Sequence, residues 1–208
     1  MAHRMTTVFA LALAASTAPA LADGGKPGDT VSTAEAKIIV PAAQDFMKGC
    51  RDCVAPGFDF KARTVSVSAD DLKQRDKWIK DVVDKYGGSA HDSYTSALTR
   101  CEWKPPKLDV DVAVVKFWEV NQLGPPLPNV FDSLGDACGN PPDAAIKAFV
   151  QKVKRVHITV APHWPKECPS SSCGYEYSFT ASTGTLDVGV HNHPINLDVE
   201  ALAWLKKQ

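Results

Sequence analysis

The clearest helical pattern along the chain begins at Ser68. Charged residues separate apolar positions that recur at helical spacing, namely Leu72, Ile79, Val82, Val83 and Tyr86. Ser68 and Asp71 have the spacing of a capping box, with aspartate in place of the usual glutamate, and Gly87 and Gly88 are typical of a helix end. The pattern therefore predicts an amphipathic helix whose charged face is solvated.

Other helices are predicted on both sides of this one. Residues 33–48 favour a helix that is interrupted at Pro41. Asn140 and Pro141 are suited to open another helix, whose apolar positions are Ile146, Phe149, Val150 and Val153. A short last helix is predicted over Asp198–Lys206, which packs through Val199, Leu202 and Leu205 and whose basic end suits the helix dipole.

Several segments alternate between apolar and polar residues, as half-buried strands do. They lie at residues 64–68, at residues 156–160 and, as the longest candidate, at residues 108–120. In the longest candidate the alternation changes phase after Val114, at Val115 and Phe117, which indicates a bulge within the strand.

Residues 175–191 have the pattern of a β-hairpin. A two-residue turn at Thr183 and Gly184 would pair apolar residues with apolar ones and polar with polar ones. The predicted pairs are Ala181–Leu186, Thr180–Asp187, Phe179–Val188, Ser178–Gly189, Tyr177–Val190 and Glu176–His191.

The connecting segments contain few regular patterns. Residues 124–142 are rich in proline and glycine and are predicted to form a long irregular connection. His91 to Tyr94 are predicted to form a loop after the double glycine. Taken together, the elements predict a single α+β domain over residues 33–208, with a mostly antiparallel sheet, two to three helices packed on one face, and disulfides that stabilise it.

The first residues of the chain have the features of a signal peptide. Met1 to Ala22 combine Arg4, an apolar run from Val8 to Ala15 and a closing Ala-Leu-Ala. We expect cleavage before Asp23, a flexible mature terminus over residues 23–32, and no membrane span once the leader is removed. The predicted location is the periplasm or the extracellular medium.

Export gives a role to the six cysteines, because disulfides persist in oxidising compartments. We expect Cys168 and Cys173 to close a small loop. The remaining cysteines, Cys50, Cys53, Cys101 and Cys138, are expected to tie the amino-terminal segment and the proline-rich connection to the body. Cys50 and Cys53 also have the spacing of a redox centre or of half a structural zinc site, although turn residues follow them instead of a helix.

Histidines and carboxylates are concentrated near the carboxyl terminus. If the strand at residues 156–160 lies beside the hairpin, one polar face carries His157, Glu176, Asp187, His191 and His193. Imidazole and carboxylate are ligands that zinc or a similar divalent metal accepts. The alternative is that these side chains form the solvated face of a sheet.

The whole-chain charge narrows the choice of partners. The formal net charge is −1 at pH 7, so the sequence has no electrostatic signature of a nucleic-acid-binding protein. We expect a binding or inhibitory protein, without a cofactor, that acts on another protein or a cell-envelope ligand through its disulfide-held and proline-rich loops. The alternative is a metal-assisted hydrolase that uses the histidine and carboxylate cluster.

Overall fold

The computed structural model describes residues 39, 58–59, 64–84, 88–121, 127–139, 141–160 and 176–190. These residues form five helices and six strands. The helices are α1 (Ala69–Val83), α2 (Ser89–Arg100), α3 (Val112–Asn121), α4 (Leu127–Ala137) and α5 (Ala144–Val150). The strands are β1 (Phe58–Asp59), β2 (Thr64–Val65), β3 (Lys107–Val110), β4 (Arg155–Val160), β5 (Glu176–Thr180) and β6 (Thr185–Val190). The predicted leader, the residues 23–32 and the predicted helix over Asp198–Lys206 lie outside the described residues.

Helix α1 begins with the predicted capping box. The Ser68 hydroxyl oxygen accepts from the Asp71 N–H at 3.1 Å, and Asp71 Oδ2 accepts from the Ser68 N–H at 2.6 Å. Trp78 and Val82 are the buried apolar residues of the helix. Val83 was assigned to the buried face wrongly: it is the last helical residue and is 48% exposed, because it lies about 100° around the axis from Val82.

The predicted loop at His91 to Tyr94 is wrong, since helix α2 includes these residues. Gly88 has a φ of 67°, a left-handed conformation that glycine adopts without strain. Gly88 is the N-cap of the new helix, which starts one residue later. Tyr94 and Ala97 form the buried side of α2, and the Tyr94 ring meets Phe131 edge-on with the centroids 4.9 Å apart.

The strand predicted over residues 108–120 is wrong beyond Val110. Strand β3 ends at Val110, and helix α3 begins at Val112. The phase change interpreted as a bulge is the transition from strand to helix. Residues 112–117 are all buried, and a stretch with no exposed side has no amphipathic pattern to distinguish a helix from a buried strand.

The proline-rich connection was also predicted wrongly over much of its length. Residues 127–137 form helix α4, which buries Leu127, Val130, Phe131 and Leu134. A β-carbon added to Gly135 would lie 3.2 Å from the Ala97 Cα, so the absence of a side chain there lets α4 approach α2 closely. The segment is therefore part of the core rather than a protruding loop.

Helix α5 confirms the predicted apolar face, with Ile146, Phe149 and Val150 buried. Its start differs from the prediction at Asn140 and Pro141. Asp143 is the N-cap, and its side chain accepts from two backbone N–H groups of the first turn.

The main sheet has the strand order β3-β4-β6-β5. The pairs β3–β4 and β4–β6 are parallel, and only β5–β6 is antiparallel. The sheet is thus mixed, and the prediction of a mostly antiparallel sheet is wrong. The helices α3, α4 and α5 form a crossover between β3 and β4. The chain therefore returns to the end of the sheet where β3 began and enters β4 in the same direction.

The hairpin pairs with a register two residues away from the prediction. Phe179 faces Leu186, and Tyr177 faces Val188. The turn spans four residues, 181–184, and Gly184 has a φ of 66° and donates its N–H to the Thr180 carbonyl. Because side chains alternate with a period of two, the shift leaves every side chain on its predicted face.

One disulfide joins the helical elements. Cys101, directly after α2, is bonded to Cys138, directly after α4, across a sequence separation of 37. The expected tie between the proline-rich segment and the body is therefore confirmed. Cys50, Cys53, Cys168 and Cys173 lie outside the described residues, so their pairing stays a prediction. No helix among the described residues has the length and apolar character of a membrane span.

Replacing Cys101 and Cys138 together with alanine is expected to lower the free energy of unfolding by about 2–4 kcal/mol. The bond removes conformational freedom from the unfolded chain, and alanine places no polar hydroxyl at two sites that are buried. Urea unfolding of the wild type and the double variant, both without reductant, measures the difference. A loss below about 0.5 kcal/mol would show that the helices hold these ends together without the bond.

Candidate functional site

The two faces of the main sheet differ in chemistry. On one face the strands contribute apolar residues, and Phe149 of α5 packs there against Phe179 with the ring centroids 4.9 Å apart. On the other face the register aligns one residue from each strand in a single row: Asp109, His157, Asp187 and Ser178. Charged and hydroxyl side chains therefore cross the whole width of the sheet.

His157 is held between two carboxylates in this row. Its Nδ1 lies 2.7 Å from Asp187 Oδ1, and its Nε2 lies 2.9 Å from Asp111 Oδ1. Asp111 directly follows β3, and its backbone N–H donates to the Ile158 carbonyl at 3.0 Å, which extends the β3–β4 ladder by one residue. Ionised carboxylates only accept hydrogen bonds, so both ring nitrogens carry a proton and the ring is an imidazolium.

The surroundings fix this protonation state. Burial lowers the pKa of His157, but the hydrogen bonds to Asp111 and Asp187, together with the charges of these carboxylates, raise it to about 10. The His157 side chain is 14% exposed and that of Asp111 is 5% exposed. A charged pair with so little water around it interacts more strongly than the same pair at the surface.

An imidazolium of this kind has a restricted chemistry near neutral pH. A general base needs a pKa close to the working pH and a free lone pair, and His157 has neither. A metal ligand also needs a free ring nitrogen. In this conformation His157 supplies positive charge and two fixed N–H groups.

Arg155 and Asp109 form a second ion pair beside His157. Arg155 lies two residues before His157 on β4, and its Nη2 contacts Asp109 Oδ2. Lys107 Nζ lies 3.5 Å from the same Asp109 oxygen. The Lys107 side chain is 67% exposed and lies at the solvent side of this cluster of charges. With Lys107 included, three carboxylates face three cations, so the charges of the cluster balance.

Three buried polar atoms on this face have no hydrogen-bond partner. They are Asp111 Oδ2, Thr159 Oγ1 and Arg155 Nε. Buried polar groups are nearly always paired in folded proteins, because leaving one unpaired costs about 1–3 kcal/mol. The polar face therefore has hydrogen-bonding capacity that the protein itself does not use.

The structure brings together part of the predicted site. His157 and Asp187 are in contact, as the shared face of β4 and the hairpin predicted. Glu176 lies on β5, while His191 and His193 lie outside the described residues. Among the residues that the structure describes, no group of three or more His, Cys, Asp or Glu side chains is arranged to hold a metal ion, so the zinc site stays a prediction.

Sequence reasoning missed Asp109 and Asp111. Both were absorbed into the alternation of the wrongly predicted long strand. The available signal was the position of Asp111 between a short apolar strand and a continuous apolar run. A carboxylate that directly follows a parallel strand lies at the carboxyl edge of the sheet, where ligands of α/β sheets bind.

Comparisons with known proteins give no guide to this site. No family model, no curated protein and no solved structure matches the chain.

Proposed function

We propose that the protein is exported to the periplasm or the extracellular medium and that it is a binding protein rather than an enzyme. The leader-like residues 1–22 support export, and so does the buried Cys101–Cys138 disulfide, because such bonds persist in oxidising compartments. The binding surface that we propose is the polar face of the main sheet around His157.

The observation that carries this proposal is the double hydrogen bond of His157. An imidazolium fixed between Asp111 and Asp187 is a rigid charged feature that needs no reorganisation when a ligand docks. Rigid, pre-oriented polar groups lower the conformational cost of binding. Arg155 and Asp187, whose side chains are 36% and 31% exposed, are the charged groups beside it that a polar ligand can contact.

This surface replaces the proline-rich segment as the proposed contact. Residues 127–137 are helical and bury their apolar side chains, which leaves less of the segment to act as a flexible docking loop. The loop between Cys168 and Cys173 stays a predicted second contact. The partner that we propose is another protein or a cell-envelope ligand that presents polar groups.

The metal-assisted hydrolase is the competing function. It would need His157, with His191 and His193, to bind zinc or a similar metal, and Glu176 or Asp187 to act as the base. His157 would first have to release a carboxylate and a proton, because both of its ring nitrogens are engaged. This requirement favours binding over hydrolysis.

A thermal-shift screen of tag-free protein tests the binding function against the hydrolase. The panel contains small amines, carboxylates, sugars and short peptides, and each stabilising compound is titrated by calorimetry. We expect at least one class to bind, with affinity reduced about tenfold or more in Asp187→Asn, which removes one charged contact. The matched control is Asp136→Asn, an exposed carboxylate on α4 that pairs with Arg100; it should leave the affinity unchanged.

Elemental analysis of the same preparation gives the contrary outcome. One equivalent of zinc per chain that is lost in His157→Gln, together with ester or phosphoester hydrolysis that a chelator abolishes, would overturn the binding proposal in favour of the hydrolase. Equal effects of Asp187→Asn and Asp136→Asn on every ligand would also overturn it, since binding would then not depend on the sheet face.

A further inference from the structure

Positive charge is concentrated at the end of the main sheet where the parallel strands begin. Residues 102–109 and 147–155 meet at this end, because the Lys107 N–H donates to the Lys154 carbonyl at 2.8 Å and the Trp103 indole N–H donates to the Val153 carbonyl at 2.9 Å. The two segments contain two carboxylates and six cations, which we call the cationic edge: Lys104, Lys107, Lys147, Lys152, Lys154 and Arg155. Positive charges therefore outnumber negative ones by four in these segments, although the whole chain has a formal net charge of −1.

The carboxylates nearby do not neutralise all of this charge. Glu102 Oε1 accepts from Lys147 Nζ at 2.6 Å. The cluster around His157, to which two members of the cationic edge belong, is balanced by its own three carboxylates. Lys104 and Lys154 are exposed, and neither forms an ion pair with a carboxylate that the structure describes. An excess of positive charge therefore remains at this end of the sheet.

The cationic edge continues to the start of β6 without another acid. The Gly184 carbonyl accepts from the N–H groups of Lys154 and Arg155, at 2.8 and 3.2 Å. Residues 181–185, which include the turn before β6, have no charged side chain. Because neighbouring strands lie about 4.8 Å apart, the starts of β3, β4 and β6 span about 10 Å. A partner that carries a single charge could therefore contact only part of this edge.

The side chains at this edge fit a surface that carries many phosphate groups. A lysine is a point charge on a flexible stem, so it can meet phosphates without a fixed geometry. Proteins that bind single-stranded nucleic acid stack the bases on aromatic rings, whereas Trp103 and Phe149, the aromatic residues of the two segments, are 4% and 1% exposed. The aliphatic residues Leu108, Val150 and Val153 are buried as well, so the contact is electrostatic and inserts no large apolar side chain.

We propose that the cationic edge docks the protein on the phosphate groups of an anionic lipid surface. The charges are complementary, and the proposed export brings the protein next to a membrane. This partner rests on the proposed export, while the binding surface around His157 is a separate proposal. Lysine and arginine are attracted to an anionic lipid surface, and the attraction falls off within a Debye length. The contact is therefore reversible and sensitive to salt.

Sedimentation with lipid vesicles tests this proposal. Vesicles of equal parts phosphatidylglycerol and phosphatidylcholine are compared with vesicles of phosphatidylcholine alone, which carry no net charge. We expect the protein to sediment only with the anionic vesicles at about 0.01 M salt and to be released at about 1 M salt, because the Debye length falls from about 30 Å to about 3 Å.

Lys104→Gln together with Lys154→Gln should weaken binding to the anionic vesicles by a factor of about ten or more, since each lysine near such a surface contributes about a fivefold gain in affinity. The matched control is Lys73→Gln with Lys77→Gln, which removes the same charge from exposed positions of α1. We expect the control to change the affinity by about twofold or less at about 0.1 M salt, where the Debye length is about 10 Å.

Three results would overturn the lipid surface as the partner. They are the absence of binding to anionic vesicles, equal binding to both kinds of vesicle, and equal losses in the two double variants. Binding to soluble polyphosphate without sedimentation on anionic vesicles would also overturn it, because the partner would then be a polyanion in solution. The proposed export fails separately, if the chain purified from its native host retains residues 1–22.

Discussion

Replacing Lys116 with methionine is expected to lower the free energy of unfolding by about 3–5 kcal/mol. Lys116 Nζ lies 2.8 Å from Asp71 Oδ1, and the two side chains are only 6% and 7% exposed. Methionine fills a similar volume but leaves the Asp71 carboxylate buried without this cation. An uncompensated buried charge costs far more than the loss of a surface ion pair.

The Asp71 carboxylate makes this pair more than an isolated contact. Its Oδ2 accepts from the Ser68 N–H in the capping box, while its Oδ1 binds Lys116 of α3. One side chain therefore both begins α1 and attaches that helix to α3. We expect the loss of Lys116 to loosen the start of α1 as well as its packing, which amide hydrogen exchange at residues 69–73 would detect.

Chemical unfolding of matched variants measures the effect. The control is Lys73→Met, because Lys73 and Asp70 pair on the same helix but are 77% and 89% exposed; we expect a loss of at most about 0.5 kcal/mol. The double variant Lys116→Met with Asp71→Asn should recover part of the stability, since it removes the stranded charge. Equal losses for Lys116→Met and Lys73→Met would contradict a buried pair.

Replacing His157 with glutamine is expected to destabilise the protein by about 3–5 kcal/mol near neutral pH. Glutamine can hydrogen-bond one neighbour, but it carries no charge between Asp111 and Asp187. Asp111 is the decisive partner, because its side chain is 5% exposed and water cannot replace the lost cation. Asp187 is 31% exposed, so water can partly replace the lost cation there and the cost in free energy is expected to be smaller.

The same interaction gives stability a defined dependence on pH. The pKa of His157 is raised in the folded protein to about 10, from about 6.5 in an unfolded chain. The stabilisation is therefore complete below about pH 6.5 and is lost as the pH rises through about 10, because the folded state then gives up its extra proton. The stability difference between the wild type and His157→Gln should shrink steadily across this window.

Two measurements check this dependence. Unfolding curves of both proteins at several pH values between about 6 and 10 give the difference in stability. Nitrogen chemical shifts of the His157 ring report its protonation directly, and we expect the imidazolium form at pH 8. A ring that is neutral at pH 8, or a stability difference that is constant over the window, would contradict the arrangement of His157 between two carboxylates.

The parts of the site that the sequence predicted were those with a local cause. The capping box of α1 needs only Ser68 and Asp71, three residues apart. The common face of His157 and Asp187 follows from strand alternation once β4 lies beside the hairpin, and it survived a two-residue error in the hairpin register because alternation has a period of two.

The tertiary structure decided what the local pattern left ambiguous. Residues 112–121 are rich in valine, which favours a strand, yet they form a helix. Residues 112–117 are all buried, and such an apolar stretch fits a buried strand and a buried helix equally well. Hydrophobic patterning reports which side of an element meets water, and residues 112–117 have no such side. The helix is the first part of the crossover that leads to β4, which runs parallel to β3.

The position of Asp111 shows what the end of β3 and the start of α3 mean for the site. In a continuous strand over residues 108–120 it would be one of several outward-facing acids, whereas at the end of β3 it is buried and bonded to His157. The amino-acid sequence by itself determined which segments alternate, where α1 begins and which face carries His157 and Asp187, because these depend on neighbours a few residues apart. The strand order, the parallel direction and the second carboxylate on His157 depend on contacts between residues 46 apart in the chain, and only the packed molecule specifies those.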